Sequence, residues 1–241
     1  MTKNKHRKVA WLTVANEQYC EIFCDYEFDI VCIDLEHSQI SLSEATKLIR
    51  IIKLKKKKSF IRLTHKKMSD LNRYLDIGID GIIIPNVNDI EDLNTIKENT
   101  YYPPMGSRGV GLSRANKFGD NFHNYFNKDS KKVELISIIE SKEAVENLDS
   151  ILNFKYLDGI MIGPYDLSSS LGIPGRFNSP IFKKNLEIIE KKTKNTKKFL
   201  GIHVVEPDKK IINNYLNKNY TFLIYSLDTV LIKKALENLL S

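Results

Sequence analysis

A repeated alternation of two kinds of segment constrains the fold of this chain more than any other feature. Short runs of branched and aromatic apolar residues recur along its 241 residues, and each is followed by a segment with apolar residues at helical spacing. Eight such runs are predicted strands: Val9 to Val14, Asp29 to Asp34, Ser59 to Thr64, Gly81 to Val87, Leu135 to Ile139, Gly159 to Ile162, Phe199 to Val205 and Thr221 to Ser226. Helices are predicted at Glu17 to Cys24, Ser41 (as N-cap) to Leu54, Met68 to Ile77, Asp89 to Lys97, Glu143 to Leu152, Pro180 to Lys194, Pro207 to Leu216 and Thr229 to Leu240.

This alternation is typical of an α/β protein with a parallel sheet. Eight successive units without signals of a second domain predict one (β/α)₈ TIM barrel that spans residues 1–241. An open doubly wound sheet is the competing architecture. Such a sheet more often has about five or six units and a glycine-rich phosphate loop after its first strand, and neither is found in this sequence.

The composition is that of an ordinary globular protein, with 42% hydrophobic and 28% charged residues. No apolar run approaches the roughly 20 residues that cross a bilayer, and the segment MTKNKHRKVAWLTV lacks the features of a signal peptide. We therefore expect a cytoplasmic protein without a membrane partner. Cys20, Cys24 and Cys32 have no metal-binding or redox spacing, and we expect buried free thiols, which suit a reducing compartment.

The net charge of +7 raises nucleic acid as a partner. The densest basic cluster, Lys53 to Lys58, falls where a helix passes into a strand, which is typical of a solvated surface turn. The sequence has no zinc-finger spacing, no aromatic RNA-binding motif and no basic stripe with interleaved aromatics. We expect no nucleic-acid partner.

Two neighbouring predicted strands are followed by carboxylates. Glu140 follows Leu135 to Ile139, and Asp166 follows Gly159 to Ile162 after a short turn. Because parallel strands joined by a helix point the same way, both acids emerge at the same end of the sheet. They can share a proton, bind a divalent cation, or cap the following helices. The Gly163-Pro164 turn favours a carboxylate ligand beside a metal, because it exposes backbone N–H groups.

In a barrel, the chemistry lies at the carboxyl ends of the strands. Polar residues there form a rim: Asp34, Glu36, His37, Arg62, His65, Pro85, Asn86, Glu140, Asp166, His203, Glu206 and Asp228. The long segment Tyr101 to Asp129 interrupts the repeat, and connections of this length are usually functional or lid-like.

Several motifs along these strand ends resemble those of the HpcH/HpaI family of class II pyruvate aldolases, which includes aldolases of 2-keto-3-deoxy sugar acids. The matching pieces are IDLEHS (33–38), IIIPNV, YPPMGSRGVG, SRANKFG, IIES and IGPYDLSSSLG. They occur in the family's order and cover nearly the whole chain. The resemblance implies a lyase that cleaves a 4-hydroxy-2-oxo acid reversibly to pyruvate and an aldehyde.

The resemblance also implies a role for individual residues. Glu140 and Asp166 would bind a divalent metal, with Mg²⁺ favoured and Mn²⁺ or Co²⁺ as alternatives. Arg62 would lie against the pyruvate keto oxygen and stabilise the enolate. His37 matches the catalytic histidine, and Asp76 matches the acid that orients it.

Further implied roles concern the surroundings of the metal. Asp34 and Glu36 would act on it indirectly, through its water ligands. The Gly163-Pro164 turn and the backbone N–H groups of Tyr165 and Asp166 would bind the pyruvate carboxylate. Tyr165 stands where the best-known members commonly have Ala or Ser, so its ring could narrow the aldehyde side.

Some residues have two interpretations. Arg108 and Arg114 could bind an acidic tail of the aldehyde, a role we assign to Arg114, or they could anchor the long segment. Asp76 could equally be a surface carboxylate. The remaining histidines that we interpret as structural or rim residues are His65, His123 and His203.

The metal route is preferred to a Schiff-base mechanism because the predicted strand cores contain no lysine. An acyl-CoA lyase or synthase of the related citrate lyase branch, which uses the same metal enolate, is the alternative enzyme. A basic barrel that binds a macromolecule without catalysis is the alternative from another class. Family members resemble one another in forming hexamers that exchange the last helix, and we expect a homo-oligomer in which Thr229 to Leu240 does so.

Overall fold

The computed structural model describes residues 6–64 and 70–241. Eight parallel strands form a closed barrel in which each strand pairs with the next and the last pairs with the first. The strands are β1 (Arg7–Leu12), β2 (Ile30–Asp34), β3 (Lys58–Arg62), β4 (Gly81–Ile84), β5 (Glu134–Ile139), β6 (Gly159–Ile162), β7 (Phe199–Val204) and β8 (Phe222–Tyr225). The prediction of a (β/α)₈ barrel is confirmed.

Helices follow every strand on the outside of the barrel. They are α1 (Glu17–Asp25), α2 (Leu42–Leu54), α3 (Leu71–Ile77), α4 (Ile90–Thr100), α5 (Phe122–Asn127), α6 (Lys142–Glu146), α7 (Leu148–Asn153), α8 (Pro164–Ser170), α9 (Pro180–Lys194), α10 (Lys209–Asn217) and α11 (Asp228–Leu240). The predicted helix Glu143 to Leu152 is two helices that break at Asn147. Met68, at the start of another predicted helix, and His65 lie outside the described residues.

Local sequence signals explain where several helices begin. Ser41 accepts a hydrogen bond from the Glu44 N–H, and the Glu44 carboxylate accepts one from the Ser41 N–H, so the expected capping box starts α2. Ser179 caps α9 in the same position, and Pro180 follows as the first helical residue. These caps agree with the boundaries expected from the sequence.

Alternate strand residues face opposite sides of the barrel wall. The outward-facing residues pack against the helices in one large core, and the inward-facing ones, such as Trp11, Phe60 and Met161, fill the barrel. Aromatic rings close the amino-terminal end, where Phe222 stacks with both Phe60 and Phe199. The other end is lined by polar residues, and the active sites of such barrels lie at this carboxyl end of the strands.

The long segment 101–129 lies at the amino-terminal end of the barrel. It connects the end of α4 to the start of β5, and the Tyr101 hydroxyl donates to the Val133 carbonyl just before that strand. Arg114 donates to the Ile77 carbonyl at the end of α3. The segment therefore does not cover the mouth of the same chain, because a connection from helix to strand returns the chain to the opposite end. The other expectation, that the segment is functional, stays a prediction.

The three cysteines are free and buried, as expected. Within residues 6–64 and 70–241, the helices all fall short of the length and apolar character that would let one cross a bilayer.

Candidate active site

Nine of the eleven predicted site residues meet at the carboxyl end of the strands. A small cavity of about 50 Å³ lies between the ends of β1, β3, β5, β6 and β7. Its polar lining residues include Arg62, Glu140, Asp166 and His203. A wider cleft above it is lined by Asp34, His37, Arg62, Tyr165 and Asp166, among others. The barrel thus joins residues that are far apart in sequence into one concave surface.

Arg62 is held in a fixed plane by two carboxylates. It ends β3 directly opposite Asp34 of β2, and its Nε and Nη2 donate to the two Asp34 oxygens at 2.8 and 2.5 Å. Glu36 lies 3.2 Å from Nη1. The Trp11 ring lies 5.2 Å from the guanidinium carbon, and its Nε1 donates to Asp34. Asp34 and Glu36 therefore contact Arg62 itself.

The Arg62 and Asp34 pair remains ionised although it is buried. Burial would raise the pKa of Asp34, which is 1% exposed, but the hydrogen bonds and charge of Arg62 hold that pKa below its usual value. Burial would likewise lower the pKa of Arg62, and the bonds to Asp34 raise it instead. A paired guanidinium with this geometry presents a permanent positive charge to the cavity.

Glu140 is a buried carboxylate with one strong backbone contact. It follows β5, is 7% exposed, and its Oε1 accepts a 2.6 Å hydrogen bond from the Asn86 N–H. Burial raises the pKa of Glu140 to about 7, and the charges of Asp166 and Glu36 act in the same direction. The site therefore concentrates negative charge that is only partly compensated by Arg62.

Asn86 makes the contact with Glu140 through an unusual backbone conformation. It follows β4 with φ of 55°, in the left-handed region that Asn tolerates better than most residues. Its side-chain amide also donates to Glu36 at 3.1 Å. The sequence placed Asn86 on the rim without a role, and the structure shows that it connects two acids of the site.

Gly163 allows the β6 turn to approach Glu140. A Cβ at this position would lie 3.0 Å from Glu140 Oε2 and 3.1 Å from Ile138 Cγ2. Pro164 then starts α8, and Asp166 lies in its first turn with its side chain exposed to the cleft. The N–H groups of this first turn have no acceptor inside the helix, so they can bind an anion.

The oxygen donors around this cavity fit a hard divalent cation. Glu140 and Asp166 line the same cavity, and burial, together with the negative charges of Asp166 and Glu36, raises the pKa of Glu140, so a positive charge there would favour its ionised form. Within the part of the chain that the structure describes, no three or more His, Cys, Asp or Glu side chains form a metal-binding group. Solvent and substrate oxygens would complete the coordination of such a cation.

His37 lies at the mouth, but the structure does not bring Asp76 to it. The His37 N–H donates to Asp34 at 3.3 Å, and its exposed ring lines the cleft. Asp76 lies in the last turn of α3, which runs toward the amino-terminal end, and there it accepts a 2.7 Å hydrogen bond from Arg108. The expected contact between Asp76 and His37 is therefore absent within the chain.

Arg108 and Arg114 also lie away from the mouth. The Arg108 side chain is fully buried, with the rings of Tyr102 and Tyr125 at 4.6 and 5.8 Å from its guanidinium carbon. Arg114 binds the end of α3. The expected substrate contact of Arg114 is not made within this chain, and both arginines anchor the long segment, which was the alternative interpretation.

Two contributors to the mouth were given no role in the site by the sequence interpretation. Trp11 was expected only as a strand residue, and His203 as a structural or rim residue. Trp11 is the only tryptophan and lies in the barrel, where its ring supports both Arg62 and His203. The signal that could have indicated them is the inward register of β1 and β7, which only pairing of the strands defines.

Comparison with known proteins shows the family of this chain. A family model described as HpcH/HpaI aldolase/citrate lyase matches residues 7–235. A protein named 2-keto-3-deoxy-L-rhamnonate aldolase from Salmonella gallinarum (strain 287/91 / NCTC 13346) is 31% identical over 233 residues, which cover 96% of this chain and 86% of that protein.

Two solved structures have the same fold. An HpcH/HpaI aldolase/citrate lyase family protein from Burkholderia cenocepacia J2315 has a TM-score of 0.92 at 23% identity, covering 98% of this chain and 94% of that one. The HpcH/HpaI aldolase from Desulfitobacterium hafniense DCB-2 has a TM-score of 0.90 at 24% identity, covering 98% and 92%. On the strength of the family match and of the relative above 30% identity, this chain belongs to the HpcH/HpaI aldolase/citrate lyase family and is a carbon–carbon lyase of the aldolase type.

Proposed function

We propose that this enzyme cleaves a 4-hydroxy-2-oxo acid of the 2-keto-3-deoxy sugar acid type, reversibly, to pyruvate and an aldehyde. One observation carries the proposal: the buried Glu140, the neighbouring Asp166 and the fixed guanidinium of Arg62 line one cavity at the mouth of the barrel. The names of the relatives, 2-keto-3-deoxy-L-rhamnonate aldolases, support this class of substrate.

In this proposal Glu140 and Asp166 bind a divalent cation, with Mg²⁺ favoured and Mn²⁺ or Co²⁺ as alternatives. The chemistry of the donors supports a hard cation, because both proposed ligands are carboxylates. When bound, such a cation polarises the carbonyl of the keto acid and compensates the charge of the enolate.

Arg62 acts on the oxygen that becomes negatively charged. A guanidinium has five N–H donors, and Asp34 accepts from two of them. The donors that remain can bind the keto oxygen of pyruvate without rotation of the side chain, because Asp34 and Glu36 already fix its plane. This preorganisation stabilises the enolate more than the neutral ketone.

We assign binding of the pyruvate carboxylate to the first turn of α8. The N–H groups of Tyr165 and Asp166 lie there, after Gly163 and Pro164, and the helix dipole favours an anion at this end. His37, whose ring is exposed in the cleft, is assigned the proton transfer that accompanies carbon–carbon bond cleavage. Asp76 contacts Arg108 in this chain, and its assignment as the orienting acid has no support from a contact with His37.

We further propose a cytoplasmic homo-oligomer with one barrel domain over residues 1–241, acting on small molecules rather than nucleic acid. The three free cysteines support a reducing compartment. Exposed Ile232, Leu236, Leu239 and Leu240 on α11 support association with further copies, in a hexamer by resemblance to the family.

The test of the reaction is an assay of metal-free protein to which Mg²⁺, Mn²⁺ or Co²⁺ is returned. Deuterium incorporation into the methyl group of pyruvate reports enolate formation, and condensation with a panel of hydroxyaldehydes reports the full reaction. We expect both to require the cation. Absence of product with every aldehyde, together with turnover of a CoA thioester, would identify the citrate lyase branch of the family instead.

A further inference from the structure

His203 lies in the same cavity as the proposed catalytic groups, but the roles assigned above do not use it. It belongs to β7, opposite Ile224 of β8. Its ring centroid is 4.9 Å from that of Trp11, with a tilt of 45° between the planes. It lines the small cavity with Arg62 and Glu140 and also the wider cleft above.

The main chain determines which ring nitrogen of His203 carries the proton. Nε2 lies 3.1 Å from the carbonyl oxygen of Ser226. A carbonyl can only accept a hydrogen bond, so Nε2 is the protonated nitrogen, and in the neutral ring Nδ1 is an acceptor.

The Ser226 carbonyl is itself fixed in place. Ser226 is 1% exposed and has φ of 60° in the left-handed region. Its N–H donates to the Val204 carbonyl and its hydroxyl to the Val205 carbonyl, both on the β7 side. A backbone held by three contacts with one strand cannot easily turn to favour the other tautomer.

The His203 ring is neutral at pH 7. Burial lowers the pKa of His203 to about 4, and the positive charge of Arg62 acts in the same direction. Within the described residues, Nδ1 has no hydrogen-bond partner. Because His203 lines both the cavity and the cleft, Nδ1 is the ring nitrogen that is left for a ligand bound there.

We propose that His203 determines substrate specificity, with its Nδ1 accepting a hydrogen bond from a hydroxyl group of the aldehyde partner. The enzyme then prefers hydroxyaldehydes to the corresponding deoxy aldehydes. It also disfavours a carboxylate tail, because an acceptor facing Nδ1 would bring two lone pairs together. This inference rests on the proposed function and deepens it by specifying the chemistry of the aldehyde.

The chain offers a matched pair of variants at this position. Asn and Leu have nearly the same shape, but His203→Asn keeps an acceptor near the position of Nδ1 and His203→Leu does not. The substrates are 2-hydroxypropanal and propanal, which differ by one hydroxyl group, each condensed with pyruvate. The quantity compared is the ratio of their kcat/KM values.

We expect the wild type and His203→Asn to prefer 2-hydroxypropanal by about 3- to 10-fold, the value of one hydrogen bond, and His203→Leu to show a ratio near one. A His203→Leu enzyme that keeps the wild-type ratio overturns the inference. A wild-type enzyme that does not prefer 2-hydroxypropanal to propanal also overturns it. If the wild type exchanges the methyl protons of pyruvate in D₂O, either result leaves the proposed function standing.

A second measurement does not depend on turnover. The ¹⁵N shifts of labelled histidine at pH 7, assigned by the signal that disappears in His203→Asn, report the protonation of each ring nitrogen. We expect the neutral tautomer with the proton on Nε2. An imidazolium, or a proton on Nδ1, overturns the inference even in a protein that fails to form the pyruvate enolate.

Discussion

At the scale of single residues, the candidate site depends on charges that are positioned before a substrate arrives. Arg62 is aligned by Asp34 and Glu36, and Glu140 by the N–H of Asn86. The guanidinium of Arg62 is paired with carboxylates on one side, whereas the negative charge of Glu140 and Asp166 is only partly compensated. The two predictions at this scale concern Arg62 and Glu140.

Arg62→Lys is expected to lower kcat for pyruvate proton exchange by about 100-fold or more, comparable to the loss of one donor to a developing oxyanion. Lysine cannot bind both Asp34 oxygens and still present a planar donor to the keto oxygen. Arg73→Lys, on the exposed face of α3, is the matched control and should retain wild-type exchange. Exchange by Arg62→Lys within a few-fold of the wild type would contradict the role of Arg62.

The raised pKa of Glu140 leads us to expect that the stability of the metal-free protein depends on pH. Its pKa is raised by burial to about 7 in the folded state, so the folded protein binds the proton more tightly than the unfolded chain. Its contribution to stability is present at low pH and is lost as the pH rises from about 4.5 to about 7, by up to roughly 3 kcal/mol. Urea unfolding in EDTA at pH 5 and pH 8 should show this loss in the wild type and not in Glu140→Gln.

The exposed Glu143→Gln variant is the control for this comparison and should behave as the wild type. Addition of Mg²⁺ at pH 8 should restore stability to the wild type more than to Glu140→Gln, because the cation replaces the proton as the counter-charge. An identical pH dependence of stability in wild type and Glu140→Gln would show that the pKa of Glu140 is not raised in the folded protein.

At the scale of structural elements, turns at the strand ends position the site. The β6 to α8 turn passes so close to Glu140 that only glycine fits at position 163 without displacement. The end of β8 is joined to the end of β1 by Asp228, which is buried and accepts hydrogen bonds from the N–H groups of Thr13 and Val14. Asp228 therefore holds the ends of these two strands together, whereas the sequence interpretation placed it on the reactive rim.

Gly163→Ala is expected to weaken the binding of Mn²⁺ by at least about 10-fold, the usual effect of disturbing the support of a metal ligand. The added methyl group would contact Glu140 Oε2 at 3.0 Å and push the carboxylate from its place. Gly109→Ala has open space around its Cβ and is the control. Titration followed by electron paramagnetic resonance measures the affinity, and equal affinities of the two variants would contradict this packing.

Asp228→Ala is expected to lower the free energy of unfolding by about 3 kcal/mol, because it leaves three donors just after β1 without their charged acceptor. The Thr13 hydroxyl and two backbone N–H groups lose their partner. Denaturant unfolding measures the change, and Asp120→Ala at the exposed surface is the control. A loss below about 0.5 kcal/mol would show that Asp228 does not tie the barrel ends together.

At the scale of the whole molecule, charge and exposed apolar surface are distributed unevenly. The lysine cluster 53–58 lies at the amino-terminal end, where Lys53, Lys55 and Lys58 pair with Asp80, Asp25 and Glu134. These ion pairs favour the interpretation of the cluster as a surface turn. The last helix, α11, instead exposes an apolar face and buries only Asp228.

The double variant Leu236→Lys and Leu239→Lys is expected to lower the oligomeric state measured by light scattering, since these side chains are 52% and 79% exposed in the single chain. Leu54→Lys, which is 79% exposed at the end of α2, is the control. A double variant with the mass of the wild-type assembly would show that α11 does not mediate association.

The sequence by itself determined the barrel, the order of its strands and the end at which the candidate site residues lie. These features follow from local periodicity and from the rule that parallel strands joined by helices point the same way, so Glu140, Asp166 and Arg62 could be assigned to one mouth. Only the tertiary structure decided the partners of each group. Pairing of the strands brings Asp34 to Arg62 and places His203 beside the Ser226 carbonyl. The left-handed backbone of Asn86 and the separation of Asp76 from His37 depend on where strands and helices end. Local sequence patterns do not encode these contacts, because the partners are far apart in the chain.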